Sequence, residues 1–156
     1  MTPDSILAVL DRLRRNWPAD WICLTGGEPF VQDLAPLVGP LHARGFRIQV
    51  ETNGTCFRDA GIDWVTVSPK PPGFETAPEI RNLAREVKLV VSKEISFPVL
   101  RRVRSNFPPG IPLFLQPESN RGSSRARALR LLRRALKEGL PDVRVGVQLH
   151  KIYALR

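Results

Sequence analysis

The sequence predicts an α/β fold, a partial (β/α) barrel of mainly parallel strands with outer helices. Two observations lead to it. Short apolar runs of strand length alternate with amphipathic helical patterns along the chain. Polar and charged residues also cluster just after most of the apolar runs, at the carboxyl ends where parallel α/β folds bind their ligands. The 156 residues fit one domain, 1–156, and a 42% hydrophobic content supplies one core.

Each element follows from its local pattern. A helix is expected over 3–16, because Ile6, Leu7, Leu10 and Leu13 share one face, Thr2 can cap it and Pro3 suits its first position. The apolar run 21–25 reads as a buried strand ending at Gly26-Gly27. A helix over 33–43 and a strand over 47–51 follow, then a strand over 64–67, a short helix over 77–84 and a strand over 87–91. The same alternation predicts a helix over 96–104, a strand over 112–115, an Arg-rich helix over 123–137 and a final strand over 143–149. In the long helix, Leu129, Leu132, Ala135 and Leu136 are expected to form the core stripe, with Arg125, Arg127, Arg130, Arg133 and Arg134 on the solvated side. The Pro-rich stretch 69–78 is the one long irregular connection and belongs at the surface near a strand end.

Charge and cysteine content narrow the function classes. The net charge is +9, with 19 Arg against 5 Lys. That balance invites a nucleic-acid reading, yet no aromatic-basic groove motif or known binding module accompanies it, and an anionic small substrate suits the charge equally well. No run approaches the ~18 apolar residues of a membrane span, and the first twenty residues lack a signal-peptide pattern. The expectation is a soluble, cytoplasmic protein. Cys23 and Cys56 show no paired spacing, so neither a disulfide framework nor a zinc site is encoded.

The strand ends carry the chemistry. Gly26-Gly27-Glu28-Pro29 lets backbone approach a ligand closely beside one carboxylate, and suits the ammonium and carboxylate of an amino acid moiety; it also reads as an ordinary Gly-rich turn. Glu51, ahead of Asn53-Gly54, suits a ribose diol or simply a solvated turn position. Ser68-Pro69-Lys70 offers a hydroxyl and an ammonium able to neutralise a carboxylate, or a surface turn. Gln116 can donate and accept. His150 beside Lys151 is open to a packed, solvated or catalytic role, whereas His42 reads as structural.

In order and in register, Leu24-Thr25-Gly26-Gly27-Glu28-Pro29, Glu51-Thr52-Asn53-Gly54-Thr55, Val67-Ser68-Pro69-Lys70, Lys88-Leu89-Val90-Val91, Leu115-Gln116-Pro117 and Gln148-Leu149-His150-Lys151 resemble the 7-carboxy-7-deazaguanine synthases. These are radical S-adenosylmethionine (SAM) enzymes of queuosine and deazapurine biosynthesis. The resemblance implies that Gly26, Gly27 and Glu28 meet the methionine amino group, with Glu51, Ser68, Lys70 and Gln116 completing the SAM contacts. It likewise implies that Thr25, Pro29, Asn53, Gly54, His150 and the terminal carboxylate of Arg156 line the pocket for 6-carboxy-5,6,7,8-tetrahydropterin. The family chemistry is SAM cleavage to a 5′-deoxyadenosyl radical, hydrogen abstraction from the pterin, ring contraction and loss of ammonia, assisted by magnesium. A homodimer and a flavodoxin or ferredoxin reductant come with it.

One part of the family pattern is absent. The three cysteines that bind the 4Fe-4S cluster have no counterpart here, since neither Cys23 nor Cys56 falls in such a loop. The magnesium ligand and the first barrel strand of the family are missing with them, so no metal ligand is assigned. Two explanations stand: Met1 is an internal start within an ordinary synthase, or the chain is a clusterless protein that binds SAM or a pterin. Either way this chain alone is expected to be inactive, and its exposed first edge to reduce stability or favour self-association. A basic nucleic-acid-binding module is the third reading, and lacks a motif.

Overall fold

The computed structural model of the chain describes residues 2–153. Its elements run α1 (Pro3–Arg14), β1 (Trp21–Leu24), α2 (Ala35–Ala43), β2 (Arg47–Thr52), β3 (Trp64–Val67), α3 (Pro78–Leu83), β4 (Ala84–Val91), α4 (Phe97–Ser105), β5 (Leu113–Pro117), α5 (Gly122–Lys137), β6 (Val143–Val145) and α6 (Leu149–Ile152). All six strands form one sheet in sequential order, and every adjacent pair is parallel. The expected α/β architecture is therefore present as an open, one-directional sheet with β1 and β6 at its edges. No described helix is long and apolar enough to cross a membrane.

The period-two alternation of the strands separates the two faces. On one face Ile48, Val50, Val65, Val67, Leu89 and Leu115 are buried in a single core with Leu7, Val38, Leu41, Ile80, Leu100 and Leu131 from the helices. Each such side chain contributes about 1.5–3 kcal/mol by leaving water. The opposite face carries Trp64, Val90 and Phe114 together with a polar series: Gln49 donates to Thr66 Oγ1 at 2.9 Å, and Thr66 donates to Glu86 Oε1 at 2.8 Å. That relay satisfies Thr66, which is fully buried despite its hydroxyl. Glu51, Lys88 and Gln116 continue the same alternation toward the carboxyl ends.

Local capping follows the sequence closely in places. Thr2 Oγ1 accepts from Ser5 N at 3.3 Å and Pro3 opens α1. His42 serves the structural role expected of it: its Nε2 sits 2.9 Å from Asp63 Oδ2, which also accepts from Ile48 N at 2.7 Å.

Four expectations need correction. The run read as a buried strand forms β1 at the sheet edge, where Trp21 and Cys23 are exposed and Ile22 and Leu24 are half-buried, because only one neighbour and one face cover it. The last strand stops at Val145, and Leu149 and His150 lie in the short helix α6. Gly146 still bonds Leu115 O at 3.0 Å, after which the chain leaves the ladder to be held by Asn120. Of the expected core stripe of α5, Ala135 is buried and Leu132 packs half-buried against the core, but Leu129 and Leu136 are 48% and 54% exposed, and the buried row is Ser124, Ala128, Leu131 and Ala135. Positions 124, 128, 131 and 135 follow the i, i+4, i+7 row that faces the sheet, and the choice of leucines alone pointed one residue away from it. The Pro-rich connection is not merely superficial, because Phe74 and Thr76 within it are buried. Phe74 takes a left-handed φ of 55°, which turns its ring inward.

Candidate functional site at the carboxyl ends of the strands

The residues singled out in the sequence fall into two groups along the carboxyl rim. The first is a latch between the loops after β1 and β2. Gly26 and Gly27 take φ of 95° and 53°, a consecutive pair of left-handed positions that side-chain-bearing residues rarely adopt. They turn the chain so that Glu28 reaches back to β2. There Glu28 Oε1 accepts from Thr52 Oγ1 at 2.7 Å and Phe30 N at 3.2 Å, and Oε2 accepts from Asn53 N at 2.7 Å. Asn53 Oδ1 in turn accepts from Thr55 N at 2.7 Å. Gly54 has φ of 83°, and a β-carbon there would meet Val67 Cγ1 and Thr76 Cγ2 at 2.9 Å, so both conformation and space demand glycine. Pro29 is buried beneath this latch, while Thr25 stays exposed at its edge.

The second group surrounds a cavity of about 460 Å³ lined by Glu51, Ser68, Lys70, Lys88, Gln116 and Gln148 together with apolar Val90, Val147 and Leu149. Glu51 accepts an ion-paired hydrogen bond from Lys88 Nζ. Lys70 donates to Ser68 Oγ at 2.9 Å. Burial holds the Lys70 ammonium below the ordinary lysine value, with Glu51 opposing that effect and Lys88 adding to it. Burial also pushes the Cys23 thiol up, with the Glu51 charge adding and Lys88 opposing, so Cys23 stays protonated at neutral pH.

Gln148 completes this second group in an unusual way. Its Oε1 is buried and has no hydrogen-bond partner among the described residues. Its backbone is fixed from both sides: Asn120 Nδ2 donates to Gln148 O at 3.1 Å, and Gln148 N approaches Asn120 Oδ1 at 3.5 Å. Ser119 and Asn120 hold left-handed φ of 49° and 54° to present that amide. A buried acceptor left unpaired costs about 1–3 kcal/mol, so its retention beside a polar cavity favours a ligand donor as its partner.

The structure thus gathers Glu51, Ser68, Lys70 and Gln116 on one cavity, and places Thr25, Gly26, Gly27, Glu28, Pro29, Asn53 and Gly54 on the adjoining latch. His150 lies on α6, next to the cavity-lining Leu149; Arg156 is outside the described residues. Lys88 and Gln148 stand in the family-like stretches 88–91 and 148–151 but were given no role, and Asn120 was not among the expected site residues. Strand alternation, which puts Lys88 on the same sheet face as Glu51, could have given Lys88 its role. Nothing local marks the meeting of Gln148 with Asn120, which spans 28 residues.

The residues fit SAM better than they fit an iron–sulfur cluster. An acid, two ammonium groups, two amides and a hydroxyl around one cavity suit a nucleoside carrying an amino acid tail. For the cluster, no group of three His, Cys, Asp or Glu side chains among the described residues could share a metal. Cys23 and Cys56 are both free thiols.

No protein-family model matches the chain. Curated relatives do, among them three named 7-carboxy-7-deazaguanine synthase. The Aquifex aeolicus protein is 37% identical over 151 residues, covering 91% of this chain and 68% of the relative. The Rhodospirillum rubrum protein is 34% identical over 167 aligned positions, covering 94% and 69%. The Caulobacter vibrioides protein is 41% identical over 98 residues, covering 62% and 45%, so the chain spans under half the length of that relative. Among solved structures, the crystal structure of QueE from Escherichia coli superposes with a TM-score of 0.73 at 28% identity, covering 95% of this chain and 64% of that one.

Proposed function

Because this chain belongs to the 7-carboxy-7-deazaguanine synthase family, we propose that it contributes the SAM- and pterin-binding half of a synthase site. The observation that carries the reading is the cavity in which Glu51, Ser68, Lys70, Lys88 and Gln116 converge on the unpaired Gln148 acceptor. In this reading the Lys70 ammonium neutralises the methionine carboxylate, Glu51 accepts from the ribose hydroxyls with Lys88 holding it in place, and Gln116 reads a polar edge of the nucleoside. Gly26 and Gly27 give backbone access to the methionine amino group. Glu28 keeps a share of its acceptor capacity for that ammonium, since a carboxylate offers about four lone-pair sites and three are used by the latch. Thr25, Pro29, Asn53, Gly54, His150 and Arg156 are assigned to the pterin on family likeness.

SAM, when bound, supplies the radical that abstracts a substrate hydrogen; the protein's own part is to bind, orient and shield. The described residues do not fit the cluster, and the steps assigned to them are binding and positioning. Magnesium, a flavodoxin or ferredoxin reductant and a second copy of the chain belong to the same proposal for the whole enzyme.

The test is calorimetric titration of the chain with SAM. Saturable 1:1 binding, weakened at least about tenfold by Gln116→Ala, is expected from loss of a donor and acceptor in a desolvated site. Absence of binding, or a Gln116→Ala variant that binds as well as the parent, overturns the assignment.

A further inference from the structure

The outer surface of the helical layer holds a second feature, remote in kind from the rim. Two adjoining hollows of about 450 and 240 Å³ run between α4 and α5 and share Phe97 and Arg134. Their walls carry five guanidinium groups: Arg101 and Arg102 from α4, and Arg127, Arg130 and Arg134 from α5. Ser96 and Ser105 add hydroxyls, and Phe97, Pro98, Leu131 and Ile95 form the apolar floor. Among the described residues no carboxylate lines either hollow. The flanking acids sit at the ends: Glu138 meets Arg134 Nε at 3.4 Å, and Glu94 lies in the neighbouring hollow that Arg127 also borders.

Helix geometry makes this a row and not a scatter. With a rise of about 1.5 Å per residue, Arg127, Arg130 and Arg134 span about 10 Å along one side of α5. The amphipathic character of α5 explains why they point outward, but it does not explain why α4 sets two more arginines opposite them. Arg134 is stacked over Phe97, with Cζ 4.2 Å from the ring centroid, which fixes one guanidinium across the groove. Arg101 and Arg130 are exposed and make no hydrogen bond to the described residues, so their donors are available. Like charges gathered this closely repel one another, and a polyanion relieves that repulsion.

We propose that the α4–α5 groove binds the phosphodiester backbone of single-stranded nucleic acid. The lining chooses this occupant over an acidic peptide. Beyond the first turn of α4 both walls are helices whose main-chain groups are internally paired, the open amides of that first turn are donors, and the polar side chains are donors apart from two serine hydroxyls. An extended peptide would bring main-chain N–H groups that find few acceptors there. A nucleic-acid strand brings a regular series of phosphate acceptors, and the planar guanidinium fork matches them.

The experiment is fluorescence anisotropy of the full chain with a labelled mixed-sequence oligoribonucleotide of about 16 nucleotides, across a salt series. Engagement of about three guanidiniums gives a log–log salt slope near −2 for a single strand. Arg101→Glu with Arg130→Glu is expected to weaken binding at least about tenfold and to flatten that slope. Arg125→Glu with Arg133→Glu makes the same change of net charge on α5 outside the groove, and is expected to stay within about threefold of the parent. Unmelted circular dichroism confirms that both variants fold. Equal loss in the two double variants would reduce the effect to net charge and overturn the groove. Equal competition by polyglutamate of matched charge would assign the groove to an acidic protein partner and overturn the nucleic acid. Binding without salt dependence would overturn both.

Discussion

The latch and the cavity are neighbours on one rim, yet they use polar groups in opposite ways. In the latch Glu28 accepts three hydrogen bonds, from Thr52 Oγ1, Asn53 N and Phe30 N, so the polar groups mainly satisfy one another. Around the cavity, among the described residues, Glu51 is paired only with Lys88, Lys70 only with Ser68, and Gln148 Oε1 with nothing. The first arrangement determines where loops sit; the second leaves capacity for a ligand. A motif such as Gly-Gly-Glu-Pro can thus look like pure binding chemistry and still do much of its work by fixing the backbone that presents the site.

Glu28→Ala is expected to have the largest effect on the latch. Losing three bonds to a carboxylate, two of them from backbone donors, is expected to lower stability by about 2–3 kcal/mol, measured by urea denaturation. A loss below about 0.5 kcal/mol would show that the latch carries little structure. The contrary case is Gln148→Leu. Removing an unpaired buried acceptor is expected to leave stability unchanged or slightly higher, while SAM affinity falls about five- to tenfold by calorimetry. A destabilised Gln148→Leu protein with unaltered affinity would move Gln148 into the structural group.

The smallest effect is on pH. The lysine must be charged to hold a carboxylate, and the Lys70 ammonium loses its proton at a lower pH than an ordinary lysine, for which the value is 10.5. Ligand affinity is therefore expected to be complete at neutral pH and to decline as pH rises through that lowered value, before free lysines titrate. In stability the sign is the reverse: desolvating the charged lysine costs stability at neutral pH, and that cost is relieved as the group deprotonates. A parent affinity profile that declines only where ordinary lysines titrate, or one identical in Lys70→Met, would detach Lys70 from the ligand.

The alternation of strand and helix, the parallel order and the dense strand ends were legible because they depend on local periodicity. The Glu28, Gly26 and Gly27 cluster was legible as a motif, although its latch role was not, since Thr52 and Asn53 lie 24 and 25 residues away. The α5 stripe was misjudged because leucine identity outweighed position: Ser124 and Ala128 are buried where small residues let the helix approach the sheet. The end of β6 was misjudged because Val147 and Leu149 continue an apolar run that the ladder does not use. The basic groove was visible only as charge.

By itself the sequence determined the class of fold, the family and the set of residues at the strand ends, because each is encoded in short-range pattern and motif. Tertiary structure alone decided which of those residues meet. The Lys88 to Glu51 pair, the clasp of Asn120 on Gln148 and the facing arginines of α4 and α5 join positions 37, 28 and roughly 25–35 residues apart. Such contacts follow from sheet register and helix packing, and no local preference of either partner specifies them.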